Sequence, residues 1–260
     1  MFYMTECETY LFDSHCHLDR YPHDIGVGEV IARAEEAGVK GFFVPGVTGF
    51  PARIVELAEF PQIIMGWGVH PLYAENFFEN CCDEIAAALK KSVCCAIGEC
   101  GFDRRAPVKF AKQFAAFQWQ INLACETGMP LIVHLVGHYE TAWQMLQKAS
   151  LKKVRFVLHS FAGSSEIAKR FLDIGAYISF SGSVFQKNPE VLKQLVEMVP
   201  EDRLLFETDS PDQRPVFWLG KINEPASLKE IAMRLAEIRQ ISLNELCNLV
   251  NQNCAKFFNY

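Results

Sequence analysis

The sequence predicts a (β/α)8 barrel on three observations: eight apolar, β-branched runs, helical periodicity between them, and 260 residues to hold eight such units. The runs are bounded by Gly, Pro and Asp, which favour chain reversal. In order they are Leu11–His17, Gly41–Val47, Ile63–His70, Val93–Gly98, Leu131–Leu135, Arg155–His159, Ala176–Ser181 and Leu204–Thr208. Helical spacing of apolar residues marks Val27–Ala37, Ile54–Phe60, Glu84–Lys90, Phe110–Thr127, Glu140–Ala149, Glu166–Ile174 and Pro189–Met198. Gly38, Gly128 and Gly175 each stand between a helix and the next strand, where helices end readily. A doubly wound sheet would need a phosphate-binding glycine fingerprint after its first strand, and Asp13–Leu18 contains none. No Pro/Gly/Ser-rich linker divides the chain, so residues 1–260 read as a single barrel domain.

Composition sets the surroundings. Residues Met1–Tyr10 lack the basic and apolar regions of a signal peptide, and no later run reaches the length of a membrane span. The 10 cysteines include no C-x-x-C, and Cys81-Cys82 and Cys94-Cys95 are ill placed for a disulfide framework, so reduced thiols and a cytoplasmic location are expected. A net charge of −6 excludes a protein that coats nucleic acid by bulk phosphate attraction. It leaves open a nuclease that meets one or two phosphates at a strand end.

The chemistry-bearing residues collect at one place on this scheme. His15 and His17 flank Cys16 at the end of the first run, and residues two apart on a strand project to the same side. Glu99 follows the fourth run, His134 and His159 close the fifth and sixth, and Asp209 follows the eighth. All six fall at carboxyl ends of predicted strands, the face where barrel enzymes carry their active sites. Imidazoles and carboxylates are ligands for divalent metals. Two such ions can share a bridging carboxylate and a bridging water, which lowers the pKa of that water. Cys16 and Cys100 flank ligand positions and read as packing residues, with Cys16 facing away from its neighbours.

In this arrangement the chain resembles the TatD family of metal-dependent hydrolases, within the amidohydrolase-like barrels. The similarity is carried by DSHCHLD (Asp13–Asp19), GVHP (Gly68–Pro71), IGECGFD (Ile97–Asp103), PLIVH (Pro130–His134), HSFAGSSE (His159–Glu166), ISFSGSV (Ile178–Val184), LLFETDSP (Leu204–Pro211) and NEPASL (Asn223–Leu228). The resemblance implies that His15 and His17 hold one metal, that Glu99 bridges two, and that His134 and His159 hold the second. It also implies that Asp209 completes the first site and contacts the nucleophilic water. Lysine-bridged relatives carry a carbamylated lysine where this chain has Glu99, and no lysine lies in the fourth run. Magnesium or manganese is the implied ion in activity, with zinc tolerated.

Substrate contacts are less sharply marked. Cations stand after the fourth run (Arg104, Arg105, Lys109), the seventh (Lys187) and the eighth (Arg214, Lys221). Of these Arg105 and Lys187, together with His70 on the active rim, are the candidate substrate-binding residues. His23 reads as a loop residue and His138 as a residue of the loop after the fifth run. Family members commonly carry an arginine two residues after the fifth-strand histidine. Here the run is His134-Leu135-Val136-Gly137-His138, which removes a bidentate phosphate contact that His138 or Arg105 would have to replace.

The resulting expectation is a metal-dependent phosphodiesterase that trims single-stranded DNA from its 3′ end through a metal-bridged hydroxide, with Glu99 and Asp209 as catalytic groups. The alternative is the same two-metal site acting on an ester or amide, such as the ester of a D-aminoacyl-tRNA. A non-catalytic binding module would be expected to have lost ligands, and all six are present. The partner is expected to be DNA, or another phosphodiester or ester substrate. No membrane is involved, and the protein is a monomer or weak oligomer.

Overall fold

The computed structural model describes residues 10–22, 24–49, 51–76 and 94–259. The expected helix Glu84–Lys90, the cysteine pair Cys81-Cys82 and the loop residue His23 lie outside the described residues. Eight strands run parallel in the order β1 (Leu11–Asp13), β2 (Val39–Val44), β4 (Ile63–Val69), β5 (Cys94–Asp103), β6 (Leu131–Val136), β7 (Phe156–Leu158), β8 (Tyr177–Phe180) and β9 (Leu204–Phe206). A two-residue strand, β3 (Thr48–Gly49), pairs antiparallel with the end of β4. Helices follow most strands: α1 (Val27–Glu36), α2 (Ile54–Leu57), α3 (Phe110–Thr127), α4 (Tyr139–Leu151), α5 (Ser165–Leu172), α6 (Pro189–Met198), α7 (Leu228–Arg239) and α8 (Leu243–Phe258). The result is a nearly closed (β/α)8 barrel, as the sequence predicts.

Closure between β9 and β1 is made just beyond the two strands. The Ser14 amide donates to the Phe206 carbonyl (3.3 Å), the Asp209 amide to His15 (2.9 Å) and the His17 amide to Ser210 (2.7 Å). Asp13 adds side-chain bonds, accepting from the Thr208 amide (3.0 Å) and hydroxyl (2.6 Å). These bonds correct one expectation. The first strand ends at Asp13 rather than at His17, because the chain bends at Ser14 and His15 to reach the last strand. Cys16 still donates its amide to Phe43 on the opposite side (3.0 Å), so the segment keeps sheet-like bonding without regular strand geometry.

Helix α3 shows how sequence period becomes position. Its buried side chains are Gln113, Ala116, Phe117, Gln120, Ile121 and Ala124, a stripe at three- and four-residue spacing. The two glutamines are buried because each satisfies a strand end that would otherwise carry unpaired backbone groups. Gln120 accepts from the Val69 amide (2.9 Å) and donates to its carbonyl (3.1 Å), fixing the end of β4. Gln113 does the same for Asp103 at the end of β5 (2.9 and 3.1 Å). Helix α3 ends at Gly128 with φ 73°, and Gly38 and Gly175 also take positive φ.

Two helices beyond those named from periodicity complete the ring, α7 and α8. The latter begins with a capping box in which Ser242 and Glu245 satisfy each other's amides. Its last residues return to the barrel, where the Phe258 ring stacks on Phe43 with centroids 4.6 Å apart. Seven described cysteines are free thiols, and Cys16 and Cys100 are fully buried, with their thiols directed at the Phe43 and Ile132 carbonyls. No helix among the described residues is long and apolar enough to cross a membrane.

Candidate metal centre

Glu99 is placed by an irregularity in β5. Ile97 pairs with Leu131 and Cys100 with Val133, so three steps along β5 match two along β6. The extra residue is a bulge, which re-aims a side chain at the cost of one regular pair. Gly98 makes the bulge feasible. Its φ is 142°, and a Cβ there would lie 2.6 Å from the Ile132 carbonyl oxygen. The Glu99 amide donates to Gly46 (2.6 Å), which holds the bulge from the other side.

The carboxylate thus placed faces two groups of ligands with its two oxygens. On the first side, Glu99 Oε2 lies 3.5 Å from Nε2 of both His15 and His17. Asp209 Oδ1 lies 3.6 and 3.4 Å from the same nitrogens, which are 3.3 Å from each other. Four ligands about 2.1 Å from one ion define a tetrahedron with edges of about 3.4 Å, so these atoms match a metal site in spacing. Asp209 reaches this position with φ 53°, a conformation Asp tolerates better than most residues.

On the second side, Glu99 Oε1 lies 2.9 Å from His134 Nδ1 and 2.9 Å from His159 Nε2, which are 3.2 Å apart. The far nitrogens of these rings are held by carboxylates, His134 Nε2 by Asp103 (3.0 Å) and His159 Nδ1 by Glu207 (3.2 Å). An ionised carboxylate only accepts, so those far nitrogens carry the protons. Two imidazole lone pairs and a carboxylate oxygen then converge at contact distance. Such a cluster requires a cation, either a metal or an additional proton. The donor set fits two divalent ions that share Glu99.

The electrostatics of the metal-free site say the same. Burial alone lowers the basicity of His159, but Glu99 and Glu207 override it and raise its pKa well above that of a free imidazole. His134 is shifted upward against its burial by Asp103 and Glu99. Burial would raise the Asp209 carboxyl, yet His17, His15 and His159 hold it below the usual range. His15 moves the other way, because burial and the neighbouring His159 keep it neutral; the two rings stack 4.1 Å apart.

All six expected ligands therefore meet in one pocket, at the carboxyl ends of the strands. His15, His17 and Glu99 lie behind, almost without solvent exposure, while His134, His159 and Asp209 face a cleft of about 380 Å³. Arg105 and Lys187 are the cationic side chains of that cleft wall. His70 is placed differently. Its Nδ1 accepts from the Leu72 amide (3.1 Å), which leaves the proton on Nε2, directed at Glu99 Oε1 (3.4 Å). That tautomer buttresses the carboxylate and has no lone pair to offer a metal. His138 packs between Phe110 and Phe102, and Arg214 folds onto the carbonyls of Trp218 and Gly220, so neither lines the cleft.

Asp13, Asp103 and Glu207 were not singled out from the sequence. Their signal was their position inside the ligand-bearing motifs, four residues after Glu99 for Asp103 and two before Asp209 for Glu207.

Known proteins share this arrangement. The TatD related DNase family model matches residues 12–259. An uncharacterized metal-dependent hydrolase of Bacillus subtilis, YabD, is 33% identical over 256 residues, covering 95% of this chain and 98% of its own. A Pantoea ananatis protein named 3′-5′ ssDNA/RNA exonuclease TatD is 32% identical over 241 residues, covering 88% and 92%. The crystal structure of YjjV, a TatD homologue from Escherichia coli K12, superposes with a TM-score of 0.81 at 27% identity, covering 96% of this chain and 98% of that one. The chain belongs to the TatD family of metal-dependent hydrolases.

Proposed function

We propose that the protein is a phosphodiesterase that removes nucleotides from the 3′ end of single-stranded DNA, using two divalent metal ions. The observation that carries the reading is the division of Glu99 between two ligand groups at the back of a cleft whose wall holds Arg105 and Lys187. His15, His17, Glu99 and Asp209 would hold one ion, and Glu99, His134 and His159 the other. When bound, such a pair lowers the pKa of a water between the ions and offsets charge on a phosphoryl oxygen.

The chain's own groups supply the rest. Asp209 lies both in the ligand cluster and on the cleft wall, and its lowered pKa keeps it ionised and able to accept a proton from the attacking water. Arg105 and Lys187 offer N–H donors to the non-bridging oxygens of a phosphate. The cleft is open on that side, as access to a chain end requires. The similarity to the Pantoea ananatis exonuclease supports the same substrate class.

The test is a panel assay with purified protein, comparing 3′- and 5′-labelled single-stranded oligonucleotides, a D-aminoacyl-tRNA and an amide substrate in Mg²⁺ and Mn²⁺. Stepwise shortening from the 3′ end is expected. Hydrolysis of the aminoacyl ester with intact oligonucleotides would instead assign the site to ester chemistry.

A further inference from the structure

The carboxylate of Asp103 stands between the ligand cluster and the cleft wall and bonds in both directions. Its Oδ2 accepts from His134 Nε2 (3.0 Å) and from Arg105 Nη2 (2.9 Å). Its Oδ1 accepts from the Arg105 amide (2.7 Å) and Nε (3.1 Å). The group is locked in place from behind, since Gln113 pairs with both backbone groups of Asp103 and is itself 2% exposed. The Arg105 side chain is 68% exposed although the Asp103 side chain is only 5% exposed. Arg105 is thus anchored along one edge of its guanidinium, and the edge carrying Nη1 is left toward the cleft.

We propose that Asp103 is a positioning residue with two functions: it fixes the His134 tautomer that presents a lone pair to the second metal, and it holds Arg105 as an anion-binding arm beside that metal. A carboxylate on the far nitrogen of a ligating histidine orients the ring and raises its basicity. Here the same carboxylate also pre-organises a guanidinium, so less rotamer freedom is lost when a phosphate oxygen arrives. The ligand class for the arm is a phosphate or phosphodiester oxygen. The inference rests on the two-metal reading of the site.

Asp103→Asn separates the two functions from mere shape. Oδ1 must remain an acceptor for the two Arg105 donors, which places the new amide N–H₂ at the Oδ2 position. That group opposes the N–H of His134 and Arg105 Nη2. His134 relieves the conflict by moving its proton to Nδ1, which removes the lone pair from the second site. Arg105→Met removes the arm and leaves the Asp103–His134 bond in place.

The experiment measures Mn²⁺ binding by calorimetry and elemental analysis, and inorganic phosphate binding to the Mn²⁺-loaded protein, with circular dichroism as a check on folding. Asp103→Asn is expected to lose roughly 10–100-fold in affinity at one of two Mn²⁺ sites and to keep the other. Arg105→Met is expected to keep both Mn²⁺ sites and to bind phosphate about tenfold more weakly, the worth of one charge-assisted contact. In a His134→Ala background, Asp103→Asn should cause no further loss of Mn²⁺. Two sites of parental affinity in Asp103→Asn, or parental phosphate affinity in Arg105→Met, would overturn the proposal. Neither readout uses turnover, so they stand apart from the nuclease assignment. A parent protein that binds no second ion would instead remove the two-metal reading itself.

Discussion

Asp13 and Thr208, 195 residues apart in sequence, are joined by a 2.6 Å hydrogen bond across the seam where the last strand of the barrel meets the first. Both are almost wholly shielded from solvent, so loss of the Thr208 hydroxyl leaves a buried acceptor short of a donor. Thr208→Val keeps the shape and the backbone bond to Asp13 while removing the hydroxyl. It should lower stability by about 1–3 kcal/mol, read from urea unfolding in the presence of EDTA so that metal binding does not contribute. Unchanged stability would mean that the seam is held by its backbone bonds alone.

Glu207 bears on the second site through His159. One of its oxygens, Oε1, accepts from His159 Nδ1 (3.2 Å) and from the Ser160 amide (2.7 Å). Glu207→Gln should weaken the second metal by roughly 10–100-fold and leave the first, as measured by competition with a chelating dye. Equal loss from both sites would assign Glu207 a general structural role instead.

Acid should strip the metal, and the sign follows from the histidine shifts. In the metal-free site His134 and His159 have raised pKa values, so they hold protons at a pH where free imidazole has lost them. A metal must displace those protons, so its apparent affinity rises with pH until the raised values are passed and falls again on acidification. The slope is about tenfold per pH unit for each proton released. Mn²⁺ titrations at several pH values check this. An affinity independent of pH between 5 and 8 would contradict it.

Asp209→Asn distinguishes proton acceptance from metal holding. The variant should keep its fold and a large share of its metal, while turnover at saturating Mn²⁺ falls by about 10²–10⁴. Comparable turnover in a metal-loaded variant would place the base elsewhere.

Much of this architecture was legible in the sequence because barrel strands are short apolar runs with punctuated ends, and ligands at those ends must share a rim. The bounds of α3 and α6 are those the periodicity predicts, since their apolar stripes are uninterrupted. The convergence of His15, His17, Glu99, His134, His159 and Asp209 followed from strand ends alone. The carboxylates behind the ligands did not. Asp103, Glu207 and Asp13 are set by which atom of a ring or hydroxyl each one reaches, and spacing carries no record of that. The bulge at Glu99 was hidden for a related reason, because a one-residue insertion against β6 exists only in the pairing of two strands. His70 shows the converse. Its place on the rim was readable, but its tautomer depends on the Leu72 amide.

The central claim is that Glu99 joins two metal sites, and Mn²⁺ titration of metal-free protein and of Glu99→Gln tests it most directly. The parent should bind two Mn²⁺ per chain, and His134→Ala should lose chiefly the second. Glu99→Gln should lose affinity at both, because a neutral amide is a poor bridge between cations, and hydrolysis of the panel substrate should fall with them. Two sites of parental affinity in Glu99→Gln would contradict the account.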